Sequence, residues 1–200
     1  MSLTPMQSIK QAKEFSIWLH EKTNEKKISS AIRVQTGAAI LQLSLDLADA
    51  ILVLLEANLP GPALTLARPL FEGYVRGVWL LEFASDNEVE KFNNGKCPLF
   101  RELLNAIGNG DTSGGAWMYA NKNANWNSFN ELTHGGSEHV KRRSTQEAVE
   151  ANYPEVEIEA LVQFGIEVRI RIGAELLSLM NDEIAIEQLN EKAKIFRIAP

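Results

Sequence analysis

Apolar residues recur along most of the chain at the three-to-four-residue spacing of α-helices. Residues 6–26 have the pattern of an amphipathic helix, whereas residues 30–58 are too uniformly apolar for a single buried face and predict a central helix. The Pro60-Gly61-Pro62 segment predicts a sharp turn that makes the next helix an antiparallel neighbour. No segment alternates with a two-residue period for long enough to form a sheet, so the predicted fold class is all-α.

The pattern predicts a bundle of about five to seven helices around a central antiparallel hairpin, residues 30–83. No change of composition divides the chain, so we expect a single domain over residues 1–200. Gly73 and Gly77 are four residues apart and would let another helix approach closely. Residues 108–115 have the composition of a mobile loop but not the order of a phosphate-binding loop.

Residues 116–134 have a helical pattern that combines aromatic side chains with several asparagines. Because asparagine is a poor helix former, we expect this helix to break near Asn123. The following residues, 137–143, are predicted to form a loop, and residues 141–143 are the only basic cluster in the chain. Arginine forks match phosphate oxygens, so this cluster is a candidate phosphate or RNA contact; the alternative is a solvated loop.

The net charge of −6 argues against broad, non-specific binding of nucleic acids, which requires a basic surface. The single cysteine, Cys97, excludes an internal disulfide and favours a reducing compartment. The N-terminus lacks the pattern of a secretory signal, so we expect a cytoplasmic protein. Asp46, Asp49 and Glu56 interrupt the apolar residues 37–59, which favours a buried helix over a membrane span.

Residues 66–83 carry Arg68, Glu72 and Arg76 at intervals of four, which aligns the three charges on one side of a helix. Desolvated charges are costly unless they are paired. The charges therefore belong either to a structural ion-pair ladder or to the floor of a site. Counting outward from the turn places Asp49 on the preceding helix opposite this stripe, where it would pair with the arginines.

His134 lies in the last turn of a predicted helix, where the macrodipole favours a protonated imidazole. It is a candidate general acid or anion ligand; the alternative is a capping histidine bonded to a carbonyl. Glu131 precedes it at the spacing used in di-iron bundles, but the second Glu-x-x-His motif that such sites need is missing. The sequence contains no hydrolase elbow around a serine, and we predict neither a metal nor another cofactor.

These observations predict a polar site inside the helical bundle. Its candidate catalytic residues are Arg68, Glu72, Arg76 and His134. Its candidate ligand-binding residues are Asp49, Asn130, Arg142 and Arg143.

Two segments resemble recurring blocks of uncharacterised bacterial all-helical proteins. The first is the charged helix with the residues that follow it, namely Arg68, Glu72, Arg76, Trp79 and Leu80. The second is Leu-Thr-His-Gly-Gly at residues 132–136, with Arg142, Arg143, Asn152, Tyr153 and Pro154. That group is similar to abortive-infection proteins and to the HEPN set of helical domains, several of which are ribonucleases of toxin and phage-defence systems.

HEPN nucleases carry an arginine that is separated from the histidine of the same helix by four to six residues. The corresponding positions before His134 hold neutral residues, namely Asn127, Ser128 and Phe129. The resemblance thus implies an HEPN-like stress or phage-defence protein that binds RNA or a partner protein. Two alternatives stay open: a metal-independent ribonuclease using His134 with Arg68 or Arg76, and a carboxylate-bridged metal-binding bundle. The apolar excess on the helices predicts a homodimer, and the sequence contains no DNA-specific motif.

Overall fold

The computed structural model describes residues 4–108 and 113–196, which contain ten α-helices, one π-helical segment and no strand. The elements in chain order are α1 (Pro5–Thr23), α2 (Ile32–Glu56), α3 (Pro60–Thr65), α4 (Ala67–Val78), the π-helical segment (Trp79–Phe83), α5 (Asp86–Asn93), α6 (Phe100–Gly108), α7 (Ser113–Thr133), α8 (Ser137–Lys141), α9 (Glu155–Leu179) and α10 (Glu183–Ile195). The all-α prediction is confirmed. Half of the loop predicted at residues 108–115, namely residues 109–112, lies outside the described residues, and residues 113–115 begin α7.

The described residues contain more helices than the five to seven that the sequence predicts, in part because short helices form in two connecting segments. Pro60-Gly61-Pro62 begins α3 instead of forming only a turn. Proline is tolerated there because the first-turn N–H groups have no partner within a helix. Residues 137–141 likewise form α8 in the segment predicted as a loop.

The contact between α2 and α4 is the most extensive one between any two described elements. Two glycines permit this close contact between the helices. A Cβ atom at Gly37 would lie 2.6 Å from Leu81 Cγ, and one at Gly77 would lie 2.4 Å from Leu41 Cδ2. Both distances are far below van der Waals contact, so this crossing accepts no side chain at either position without a shift of the neighbouring leucine.

By length and composition α2 is able to cross a membrane, and it is the one helix among the described residues with this property. In the fold it packs against α1, α4 and α9, and 44% of its most apolar window is buried. Its outer side still carries large apolar side chains that are more than half exposed, namely Ile32, Leu43 and Val53. One side of α2 is therefore part of the core, and the other exposes these apolar side chains among polar ones such as Gln42 and Asp46.

The predicted break near Asn123 is wrong, because α7 continues without interruption from Ser113 to Thr133. Some of its asparagine side chains bond within the helix rather than competing with it. Asn121 Nδ2 donates to the Trp117 carbonyl oxygen at 3.1 Å, and Asn125 Nδ2 donates to Asn121 Oδ1 at 3.3 Å. Tertiary packing of the aromatic residues thus overrides the low helix propensity of asparagine.

Candidate functional site

The charged stripe of α4 is an ion-pair ladder centred on Glu72. Arg68 Nε donates to Glu72 Oε1 and Arg76 Nη2 donates to Glu72 Oε2, each at 2.8 Å. The Glu72 side chain is only 14% exposed, and those of the two arginines are 22% and 31% exposed. The four-residue spacing places each arginine one turn away from the carboxylate, so one glutamate binds both cations.

His134 lies beside this ladder, one residue beyond the end of α7. Arg68 Nη1 and His134 Nε2 are 2.7 Å apart, although the two residues are 66 positions apart in the chain. A guanidinium group only donates hydrogen bonds, so Nε2 is the acceptor in this contact. The His134 side chain is exposed, so this end of the site lies at the surface and not inside the helical bundle as the sequence predicts.

Arg68 also contacts Trp126, an aromatic residue that is not among the predicted site residues. Its guanidinium carbon lies 5.0 Å from the centre of the Trp126 ring, within the range of a cation–π contact. Trp126 stacks on Phe100 with a 4.6 Å centroid distance and a 5° interplanar angle. Trp126 lies about two helical turns before His134, and this spacing is the signal that could have identified it.

Asp49 does not belong to this site, and its predicted pairing with Arg68 or Arg76 is wrong. Its carboxylate accepts from Arg169 Nη2 at 2.8 Å and from Ser16 Oγ, and it contacts His20 Nε2 at 2.7 Å. These partners belong to α1 and α9. The α2 residue beside Gly73 of α4 is Ser44, whose Oγ would lie 2.4 Å from a Cβ at that glycine.

The two basic candidates at the rim differ in how far their charge is compensated. Arg142 donates through Nε and Nη2 to Glu157 and through Nη1 to Glu138, so two carboxylates neutralise it. Its hydrogen bond to Glu138, together with that from Lys141, lowers the pKa of Glu138 to about 2. Arg143 is exposed, with its guanidinium 5.8 Å from the centre of the Tyr153 ring.

Asn130 and Glu131 have structural roles in this region. The Asn130 carbonyl oxygen accepts from the His134 backbone N–H at 3.0 Å. Glu131 Oε2 accepts from the backbone N–H of Ser137 at 2.7 Å and from its hydroxyl at 3.1 Å. Glu131 therefore caps α8 while His134 contacts Arg68. Within the described ranges, no three His, Cys, Asp or Glu side chains are grouped to hold a metal ion.

The chemistry of this arrangement is that of a set of hydrogen-bond donors. Both oxygens of Glu72 and the ring acceptor of His134 are already bonded to arginines. Arg76 has no bonded partner other than Glu72 among the described residues and is one-third exposed, so it can still donate to a ligand. The fold and site thus define an all-α protein with an internally paired Arg-Glu-Arg-His network where α4 meets the end of α7.

Residues 41–197 match a family model described as a family of unknown function (DUF6988). Because the match covers more than half of the chain, the protein belongs to this family. No curated protein and no solved structure matches the chain.

Proposed function

We propose that this protein is an HEPN-like helical module of bacterial stress or phage defence that acts by binding a partner protein. The resemblance of the two sequence blocks supports the HEPN-like assignment. The observation that carries the binding role is the hydrogen bond from Arg68 to His134 Nε2. A general base needs a free lone pair, and this contact occupies the one that His134 would use.

A protein partner is favoured over RNA because few cations are available for phosphate groups. The chain has a net charge of −6, Arg142 is bound to two glutamates, and Arg68 and Arg76 share Glu72. Affinity for nucleic acid depends on cations that displace counterions from the phosphates. Binding to a protein surface that offers a carboxylate to Arg76 does not require such a set of cations.

The binding role is tested by calorimetric titration with the product of the adjacent gene, since toxin and defence proteins are commonly encoded beside their partners. We expect complex formation by the natural protein and about tenfold weaker binding by Arg76→Gln, because one charge-assisted hydrogen bond is lost. Arg101→Gln removes an exposed arginine from α6 and serves as the matched control. Equal affinity of the natural protein and Arg76→Gln would exclude the α4 site from the interface.

The ribonuclease alternative is tested with the same preparations. The proposal predicts no RNA cleavage above background in a chelating buffer, with or without His134. Cleavage by the natural protein that disappears in His134→Ala would overturn the binding role in favour of catalysis. The metal-binding alternative predicts stoichiometric iron, manganese or zinc in elemental analysis of the purified protein.

We further propose a cytoplasmic homodimer whose bundle is organised by the hairpin of residues 30–83. The extensive contact between α2 and α4 supports the role of the hairpin. The exposed apolar side chains of α2, namely Ile32, Leu43 and Val53, support association through this helix.

A further inference from the structure

A groove of about 440 Å³ lies between α7 and α9, on a different side of α7 from Trp126. This volume is within the range of about 300–1,000 Å³ that is typical of ligand sites. Its apolar surface includes Phe129 and Phe164, whose ring centroids are 5.5 Å apart. Its polar walls come from α7 and α9, and include Asn121, Asn125, Gln163 and Glu167. Part of the unusual asparagine series of α7 therefore lines this groove.

Two of the side-chain amides that line the groove are held by hydrogen bonds from their nitrogen atoms, which leaves their oxygen atoms available to accept from a ligand. Asn125 uses its amide nitrogen to bond Asn121, and Gln163 uses its own to bond Glu159 Oε1 at 3.0 Å. Neither Asn125 Oδ1 nor Gln163 Oε1 has a hydrogen-bond partner in the part of the chain that the structure describes. The groove thus offers carbonyl oxygens held on two rigid helices, which suit a ligand rich in N–H groups.

The charge of the groove is negative. Three charged side chains line it, and two of them, Arg142 and Glu157, form a bidentate pair with each other. The third, Glu167, accepts from Trp117 Nε1 at 2.8 Å and makes no salt bridge with any described residue. Arg171 follows Glu167 by one helical turn, but its guanidinium lies 4.6 Å from the centre of the Trp117 ring instead of pairing with the carboxylate. One carboxylate therefore lacks a cation.

We propose that this groove binds an arginine side chain of a partner protein, with Glu167 pairing to the guanidinium. A guanidinium carries five N–H donors in a planar fork and also packs well on aromatic rings. It therefore matches a carboxylate, amide oxygens and two phenylalanines better than a lysine ammonium or a neutral side chain does. The inference rests on the proposed function in one respect, since the arginine belongs to the bound partner.

The test uses two acetylated, amidated tetrapeptides of sequence Gly-Phe-Arg-Gly and its citrulline counterpart, which has the same shape without the charge. The Trp117 indole N–H bonds Glu167 and reports on the groove in nitrogen-15 NMR titrations of the full chain. A Trp117→Phe sample identifies its signal. We expect the arginine peptide to shift this signal at a concentration at least about tenfold below that required for the citrulline peptide.

Two variants separate the charge of Glu167 from its structural role. Glu167→Gln keeps an oxygen that accepts from Trp117 and should weaken arginine-peptide binding about tenfold, whereas the exposed Glu90→Gln should leave it unchanged. Asn125→Asp adds a second carboxylate and should strengthen binding. This expected gain cannot be produced by partial unfolding.

Equal binding of the two peptides, or no shift of the Trp117 signal by either peptide, would overturn the assignment of this groove. If the calorimetric complex still forms and still depends on Arg76, the proposed binding function survives that failure. If the protein instead cleaves RNA through His134, the proposed function fails while the peptide result is unaffected.

Discussion

Arg169 is the largest fully buried side chain in the described part of the protein, with a relative exposure of 1%. Its one hydrogen-bonded partner there is Asp49, and its Nε and Nη1 atoms are buried without a partner. A buried charge is tolerated only when it is paired, so this contact determines whether α9 can pack against α1 and α2. Burial of Asp49, the largest single influence, raises its pKa, but the hydrogen bond from Ser16 and the charge of Arg169 outweigh it and hold the pKa below its ordinary value.

Asp49→Asn is therefore expected to lower the free energy of unfolding by about 3 kcal/mol, because it leaves Arg169 buried without a counter-charge. Asp46→Asn is the matched control, since Asp46 is an exposed aspartate on the same helix, and it should have an effect within about 0.5 kcal/mol. Urea unfolding at neutral pH measures both values.

A depressed folded-state pKa means that this stabilisation is present above the unfolded-state pKa and is lost as pH falls through the folded-state pKa. The difference between Asp49→Asn and the natural protein should accordingly shrink in acid.

Local spacing predicted only part of the candidate site. The four-residue intervals of Arg68, Glu72 and Arg76 are sufficient to predict the ladder, because its geometry follows from the helix alone. Asp49 was assigned to the wrong neighbours because its partner, Arg169, is 120 positions away in the chain. No property of a single helix determines which of three neighbouring helices a side chain will face. The approach of His134 to Arg68 depends on the same kind of long-range packing.

At the level of elements, the close packing of α2 on α4 depends on the glycines of α4, because a side chain added at either of them would contact α2. A Cβ at Gly77 would meet Leu41, which is fully buried, whereas one at Gly73 would meet the hydroxyl of Ser44 at 2.4 Å. The Ser44 hydroxyl can move by giving up its 2.9 Å hydrogen bond to the Ile40 carbonyl oxygen, whereas a buried leucine in a packed interface has no space to move into.

Gly77→Ala should therefore destabilise the protein by about 1–3 kcal/mol, although alanine has the higher helix propensity. Gly73→Ala should lower the free energy of unfolding by clearly less than Gly77→Ala does. Thermal or urea unfolding of the two variants provides the comparison. If both substitutions stabilise the protein, as helix propensity alone predicts, the close approach of the two helices is not a stabilising constraint.

The π-helical segment brings two acidic residues together where it meets α9. Its wider turn is closed by a hydrogen bond from the Ala84 N–H to the Trp79 carbonyl oxygen at 2.8 Å, and it carries Glu82. Burial and the neighbouring charge of Glu82 raise the pKa of Glu175 on α9 from 4.5 to about 7. Because the folded state binds this proton more tightly than the unfolded chain does, stability should fall as pH rises from 4.5 through about 7.

Glu175→Gln should consequently be more stable than the natural protein at about pH 8, and the difference should nearly vanish at about pH 4, where the glutamate is protonated. Urea unfolding curves at the two pH values measure this difference. Glu183→Gln, at an exposed position of α10, is the control and should show no such pH dependence. A gain of stability in Glu175→Gln that is the same at both values would mean that the carboxyl group does not titrate in this range.

For the whole molecule, the exposed apolar side of α2 leads to a prediction about association. Leu43 is 53% exposed, so Leu43→Lys should prevent a homodimer from forming without disturbing the core. Sedimentation equilibrium should show dimers for the natural protein and monomers for Leu43→Lys, with unchanged helix content by circular dichroism. Val156→Lys, which replaces an exposed apolar residue of α9, should remain dimeric. Monomers of the natural protein at all concentrations would refute the prediction.

The fold class was predictable from the sequence because helical periodicity is a local property that survives in any all-α arrangement. The continuity of α7 could not be predicted in this way, and neither could the formation of α3 and α8. Each of these depends on contacts outside its own segment. Asn121 illustrates this: its propensity predicts a weak helix, but its side chain completes a bond to Trp117, and the aromatic residues of α7 are fixed by α4, α6 and α9.

The segment between α8 and α9 is joined to the body of the protein by charge at its Arg142 end, whereas Tyr153 at its other end packs against the core. Most of its residues are exposed, and Arg142 connects it to Glu157 at the start of α9. Dissolved ions weaken such an attachment far more than they weaken an apolar one. Concentrated salt should therefore release this stretch while the surrounding helices stay folded, and trypsin would then nick the chain after Arg142 or Arg143. A brief digestion could in this way divide the protein into two fragments that stay associated.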